Sequence, residues 1–157
     1  MHAYTSPWLT DDHNIFREGT RKFIEKEFVP NRERWIEQGH PEPEIWSKAG
    51  QMGLLCPDIP IEYGGGGGDF GFDVITYEEL VRANISSFGN GIQSIVGHYI
   101  VRYGTEEQKE KWLPKMASGE IITSIAMTEP GTGSDLQSIK TKAIRDGDDY
   151  VLNGSKT

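Results

Sequence analysis

The chain has 157 residues, a formal net charge of -8 and an isoelectric point near 5.0, with 36% hydrophobic and 25% charged residues. That balance belongs to a chain that folds in water as one domain, or one domain and part of another. Its negative field argues against nucleic acid and against an anionic membrane surface. The single Cys56 excludes an internal disulfide and is expected as a buried apolar group rather than a nucleophile. No apolar run approaches the ~20 residues that span a bilayer, so membrane insertion is not expected. The first residues carry neither a basic leader pattern nor an Arg/Ser-rich amphipathic one, and a cytoplasmic location is expected.

Helical signals come first in chain order. Thr10 is an expected N-cap, with Asp11 and Asp12 in the first turn, where the helix dipole favours carboxylates. Phe16, Thr20, Phe23, Ile24 and Phe28 recur at helical spacing until Pro30, which is expected to end the run. Pro43 opens a second helix through Ile45, Trp46, Ala49 and Met52, with Gly53 as its stop. Gly64 to Gly68 is an unbroken glycine run. It lacks the strand-to-helix setting and the Lys-Ser/Thr of a phosphate loop, so a flexible connection is expected.

A third helix is expected through Val74, Tyr77, Leu80 and Val81, ending near Asn84. Ile92, Ile95, Val96, Tyr99, Ile100 and Tyr103 mark a fourth, expected in the interior and closed by Gly104. Thr105 and Gln108 form a capping box for a fifth, which Pro114 soon interrupts. His98 is a lone histidine on the fourth helix, a setting more often structural than catalytic. Glu78 and Glu79 are adjacent and point in different directions on a helix, so they are no carboxylate pair. No His/Cys/Asp/Glu cluster has metal-ligand spacing.

The period changes after Gly119. Ile121 to Met127 has the composition of a buried strand, ended by Thr128-Glu129-Pro130 because proline cannot donate to a ladder. Gly131 and Gly133 then permit a tight turn and close approach of the backbone to a ligand. Thr128, Thr132 and Ser134 crowd hydroxyls into the same loop. Composition leaves two alternatives open, a plain turn and a cradle for something flat and anionic. Ile139 to Arg145 alternates as a half-buried strand does. Asp146-Gly147 signals a hairpin, Tyr150-Val151-Leu152 the returning strand, and Asn153-Gly154 a further turn. The chain stops at Thr157, one turn into a new strand, which natural sheets rarely tolerate. The expected organisation is α+β: an all-α helical domain over residues 1–119, then the first strands of a truncated antiparallel β-domain over 120–157, in a piece of a longer protein.

Ala126-Met127-Thr128-Glu129-Pro130-x-x-Gly133-Ser134-Asp135 resembles the flavin-loop signature of the acyl-CoA dehydrogenases. Leu54-Leu55-Cys56-Pro57 with Tyr63-Gly64-Gly65, Gly104-Thr105-Glu106-Glu107-Gln108-Lys109 with Leu113-Pro114, and Asp149-Tyr150-Val151-Leu152-Asn153-Gly154-Ser155-Lys156 fall in that family's order and spacing. The resemblance runs from about Thr10 onward and leans toward the long-chain or branched-chain side of the family, where Ile125 is common.

The resemblance implies FAD as cofactor, an acyl-CoA substrate oxidised to the trans-2-enoyl-CoA, an electron-transfer flavoprotein as electron acceptor, and a tetramer or dimer of the full-length protein. It implies that Ile125, Ala126, Met127 and Thr128 face the cofactor, with main-chain groups of Met127 and Thr128 at the pyrimidine edge of the flavin. Gly133 and Ser134 sit at the pyrophosphate, and Ser134 also touches the acyl-CoA. Ile125 stands where many relatives have an aromatic ring. Glu129 and Asp135 are expected to serve the loop through hydrogen bonds. The family's catalytic base, a glutamate, lies in a C-terminal helical domain outside this chain, so the 157 residues alone are expected to be inactive. An acyl-CoA oxidase or a flavin monooxygenase of the same architecture, and a non-enzymatic helical interaction module, are the alternative readings.

Overall fold

The computed structural model describes residues 6–157. The chain divides into two compact units, the first running to Thr123 and the second spanning Ser124–Thr157.

The first unit is helical. Helix α1 (Asp11–Phe23) starts at Thr10, whose hydroxyl accepts the His13 amide N–H at 3.3 Å. The expected cap is therefore present, and His13 takes the returning role that Glu or Gln usually fills. Its Nδ1 accepts the Thr10 amide N–H at 3.1 Å, which leaves the proton on Nε2, 2.9 Å from Asp69 Oδ1. Asp69 in turn caps α4 (Phe70–Arg82) by accepting the Gly71 amide N–H at 2.7 Å. One buried imidazole thus ties together the first turns of two helices.

Pro30 does not end the first helical run. The path widens into a π-turn (Ile24–Phe28), tightens into a 3-10 turn (Val29–Asn31), and continues as α2 (Arg32–Gln38). Pro30 lies in the first turn of the 3-10 segment, where its missing N–H leaves no bond unmade. The change of pitch brings Phe28 and Trp35 inward, both at most 1% exposed. Their rings meet edge-on at 5.4 Å between centroids, and Phe88 joins Phe28 at 4.9 Å and Trp46 at 4.3 Å. This aromatic cluster is the centre of the main core, to which α3 (Pro43–Gln51) contributes Ile45, Trp46 and Ala49.

Glu79 of α4 is 2% exposed and accepts hydrogen bonds from Arg17, Arg21 and Arg82 at 3.1, 2.8 and 3.1 Å. Three guanidinium groups offset the cost of burying one carboxylate.

The glycine run is not a flexible connection. Each of its five amides donates to a carbonyl just upstream, from Gly64 to Ile61 and from Gly68 to Pro57. At Gly65 a Cβ would lie 2.2 Å from the Ile59 carbonyl oxygen. The missing side chains serve close packing of backbone on backbone. Cys56, at φ 53° and 2% exposed, begins this knot.

Helix α5 (Asn90–Tyr103) forms where expected but is not an interior apolar helix. Ile95, Tyr99 and Tyr103 are 46%, 51% and 71% exposed, while Asn90, Gln93, Ser94 and Gly97 face the core. The buried face is polar because it has specific partners there, among them Asp73, which accepts the Ser94 hydroxyl at 2.8 Å. Helix α6 (Glu106–Ala117) begins at the expected Thr105–Gln108 box and runs through Pro114 without interruption. The fully buried Leu113 and Met116 flank that proline and pack in a second core cluster with Cys56 and Ile59. That packing outweighs the one hydrogen bond that proline cannot make.

Residues 121–127 form no strand, a further correction to the sequence reading. The extended chain at Thr123 pairs instead with a side chain: Gln93 Oε1 accepts the Thr123 amide and hydroxyl at 3.0 and 2.9 Å, and Gln93 Nε2 donates to Ile121 O at 2.7 Å. In the second unit, β1 (Lys142–Asp146) and β2 (Asp149–Asn153) form an antiparallel hairpin in register Ile144↔Val151, as expected, with Gly147-Asp148 as the closing turn. Both strands are exposed along their whole length, so the half-buried character expected for 139–145 is not realised. Among the described residues no helix is long and apolar enough to cross a membrane.

Two outcomes follow for this unit. Hydrogen bonds from Arg21 foremost, then Arg17 and Arg82, pull the Glu79 pKa down to about 2. Its contribution is fully present above the ordinary glutamate range and is lost as pH falls from there toward 2. Glu79→Gln should therefore cost about 2 kcal/mol near neutrality and flatten the acid limb of stability, read by chemical denaturation at pH 7 and pH 3. Gly65→Ala should lower stability by about 2 kcal/mol in the same assay, whereas a flexible linker would tolerate it.

Candidate functional site

The loop after residue 124 is built around a carboxylate. Glu129 and Thr132 exchange two main-chain hydrogen bonds, at 2.9 and 3.0 Å, which places Pro130-Gly131 at the corner of a tight turn. Both side chains are buried. Thr132 Oγ1 donates to Ser138 O at 3.0 Å. The Glu129 carboxylate accepts the amide N–H groups of Lys140 and Thr141 at 2.8 and 2.9 Å, and the Lys156 ammonium at 3.1 Å. Hydrogen bonds from Thr141 first, and from the Lys140 amide next, pull its pKa down to about 2. Every donor here favours the charged form. The expected loop-bonding role of Glu129 is observed.

Asp135 is likewise engaged locally, accepting the Ser138 hydroxyl, while its carbonyl accepts the Ser138 amide at 3.1 Å. Glu129 is not poised as a base, since a group held near 2 has little affinity for a proton at neutral pH.

The opposite side of the loop is open. The amide N–H groups of Ala126, Met127, Thr128, Gly133 and Ser134 have no main-chain or side-chain partner among the described residues. Ala126, Thr128, Gly133 and Ser134 are exposed, and Ile125 and Met127 are half-buried. All six residues singled out from the sequence thus lie on one segment and its return, with free donors concentrated there. Gly133 adds a second observation. A Cβ built on it would meet no heavy atom within 4 Å, and its backbone is not in the left-handed region. Nothing within these residues requires residue 133 to lack a side chain.

Three groups that hold this loop had no assigned role in the sequence reading: Lys140 and Thr141, acting through their amides, and Lys156, whose ammonium also donates to Met127 O at 3.0 Å. The chain passing Asn153-Gly154 returns to the loop, and Thr157 N donates to Thr128 O at 2.9 Å. Only the clustering of Asn-Gly with a following lysine hinted at this return.

In the helical unit a shallow apolar groove of about 460 Å³ lies between α5 and α6, lined by Tyr99, Tyr103, Trp112 and Met116 among others. His98 pairs with Asp58 at 2.9 Å and is half exposed, a structural setting as expected. Cys56 is buried and its thiol is pushed up to about 12 by burial, with the Asp58 and Asp73 charges adding to this. No group of three His, Cys, Asp or Glu side chains among the described residues can hold a metal ion.

A unit of capped helices, followed by a loop with unpartnered amides and a hairpin, defines an α+β class. The family description for the N-terminal domain of acyl-CoA dehydrogenases matches residues 10–120, and that for the middle domain matches residues 124–157. The chain belongs to the acyl-CoA dehydrogenase family. It is 47% identical over 149 residues to the mitochondrial long-chain specific acyl-CoA dehydrogenase of Mus musculus, covering 94% of this chain and 35% of that protein. An acyl-CoA dehydrogenase structure from Geobacillus kaustophilus superposes with a TM-score of 0.90 at 48% identity, covering 98% of this chain and 40% of that one. A glutaryl-CoA dehydrogenase from Mycobacterium smegmatis in complex with FADH2 superposes with a TM-score of 0.85 at 32% identity, covering 94% and 39%. The chain thus spans little more than a third of the length of these relatives.

The Glu129 hub can be followed through its donors. In a titration monitored by NMR, the Lys140 and Thr141 amide resonances should stay fixed as pH falls from 7 to 4, through the ordinary glutamate range near ~4.3. They should move only as pH approaches 2. Glu129→Gln should shift both resonances already at pH 7.

Proposed function

We propose that this chain is the part of an FAD-dependent acyl-CoA dehydrogenase that carries the flavin-binding loop, and that the whole protein oxidises an acyl-CoA to the trans-2-enoyl-CoA. The single observation that carries the reading is the set of unpartnered amides at Met127, Thr128, Gly133 and Ser134, on a loop whose carboxylate is turned to the other side. Family membership and the FADH2-bound relative support it. When bound, the flavin supplies the acceptor for the hydride lost from the substrate's β-carbon.

This chain's residues bind and orient. The amides of Met127 and Thr128, with the Thr128 hydroxyl, would donate to the pyrimidine edge and stabilise negative charge there. The amides of Gly133 and Ser134 would hold the diphosphate, which the missing side chain at 133 would admit. Ser134 would also reach the acyl-CoA. Ile125 and Ala126 would complete the cofactor-binding segment. The family resemblance implies that the α-proton is taken by a glutamate of a C-terminal helical domain, while Glu129 and Asp135 here are bonded within the loop. Electrons then leave to an electron-transfer flavoprotein, and the whole protein works as a homo-oligomer.

Two measurements test the reading. The 157-residue chain should show neither stoichiometric flavin nor dye reduction with an acyl-CoA. In the whole protein, Gly133→Leu should weaken FAD binding at least tenfold, about 1.4 kcal/mol, read by flavin fluorescence on dilution. Saturated flavin and parental activity in that variant would refute the assignment.

A further inference from the structure

We infer that Lys156 is a positioning residue for the cofactor loop: its ammonium, anchored on Glu129, fixes the peptide plane between Met127 and Thr128 so that the Thr128 amide N–H faces the ligand. The inference rests on the function proposed above and adds the device that aims the donor. Lys156 Nζ lies 3.0 Å from Met127 O and 3.1 Å from Glu129 Oε1. A trans peptide is planar, with its C=O and N–H pointing to opposite sides. Holding Met127 O toward Lys156 therefore turns the Thr128 N–H away from Lys156, and that amide has no partner among the described residues. The next peptide is fixed the same way. Thr157 N donates to Thr128 O at 2.9 Å, and the Glu129 N–H on the far side of that plane goes to Thr132 O at 2.9 Å. Two consecutive residues beyond the hairpin thus set two consecutive peptide planes of the loop.

The lysine is itself held. Its side chain is 29% exposed and that of Glu129 is 6% exposed, so the pair is partly withdrawn from water. Glu129 is also bonded to two main-chain amides, which fixes the carboxylate before Lys156 arrives. An ammonium with three donors serves both acceptors at once. A merely structural lysine would need only the carboxylate. The second bond, to the carbonyl of a loop residue whose peptide partner is the free Thr128 donor, is what the positioning role adds.

The test uses the whole flavoprotein proposed above, with Lys156→Met, Lys156→Arg and Gly133→Leu measured side by side. The readouts are the FAD dissociation constant, the reduction potential of the bound flavin and the melting temperature of the apoprotein. Lys156→Met should weaken FAD about tenfold and lower the flavin potential, because a donor to the ring edge is no longer aimed at it. Its apoprotein should melt within a few degrees of the parent, because Glu129 keeps its two main-chain donors. Lys156→Arg, which can still bridge both acceptors, should restore most of the affinity and the potential. If Lys156→Met leaves both flavin readouts unchanged while Gly133→Leu releases FAD, the positioning role is refuted and the cofactor assignment stands. If neither variant affects flavin, the underlying reading fails as well. Apoprotein that melts much lower, or does not fold, with Lys156→Met gives the lysine a structural role and overturns the inference.

Discussion

The carboxylate of Glu129 joins three stretches of chain that are distant in sequence: the turn at 129–132, the entry to the hairpin at Lys140-Thr141, and the return at Lys156. A carboxylate offers acceptors only, and the hairpin entry and the return bring donors to it. The hub therefore assembles by filling acceptor positions, while within these 157 residues both hairpin strands are exposed. Charge-assisted hydrogen bonds do the organising that a hydrophobic cluster does in the helical unit.

The two units thus solve the same problem by different physics. Residues up to Thr123 rest on stacked and edge-on aromatic rings, with Phe28, Trp35, Trp46 and Phe88 at the centre. Residues from Ser124 onward rest on a polar hub. The amides at Met127, Thr128, Gly133 and Ser134 are left over around that hub, and these are the donors proposed above to serve the cofactor.

Much of this was legible in the residues. Thr10 and Thr105 announce helix starts because a cap is a local bargain between a hydroxyl and amides three residues on. Asp146-Gly147 announces the hairpin for a similarly local reason. What could not be read was decided by distant partners. Pro30 and Pro114 break no helix, since a change of pitch in one case and the burial of Leu113 and Met116 in the other override the local penalty. The glycine run resembles a linker until the Ile59 carbonyl is seen packed against it. Ile121 to Met127 has the composition of a strand, yet near Thr123 the amide of Gln93 stands where a ladder partner would be. A glutamine thirty residues upstream cannot be foreseen from periodicity. The residues proposed to face the cofactor were legible only as a motif, and the groups proposed to aim them were not.

Cys56 offers a use for a feature that otherwise only fills space. Its sulfur is 2% exposed, its thiol is pushed up to about 12, and it opens the glycine knot that closes over Ile59. Alkylating reagents attack the thiolate, so the folded molecule is protected both sterically and by proton affinity. Labelling then requires that this knot open, so the thiol reports on breathing motions of the region packed around it.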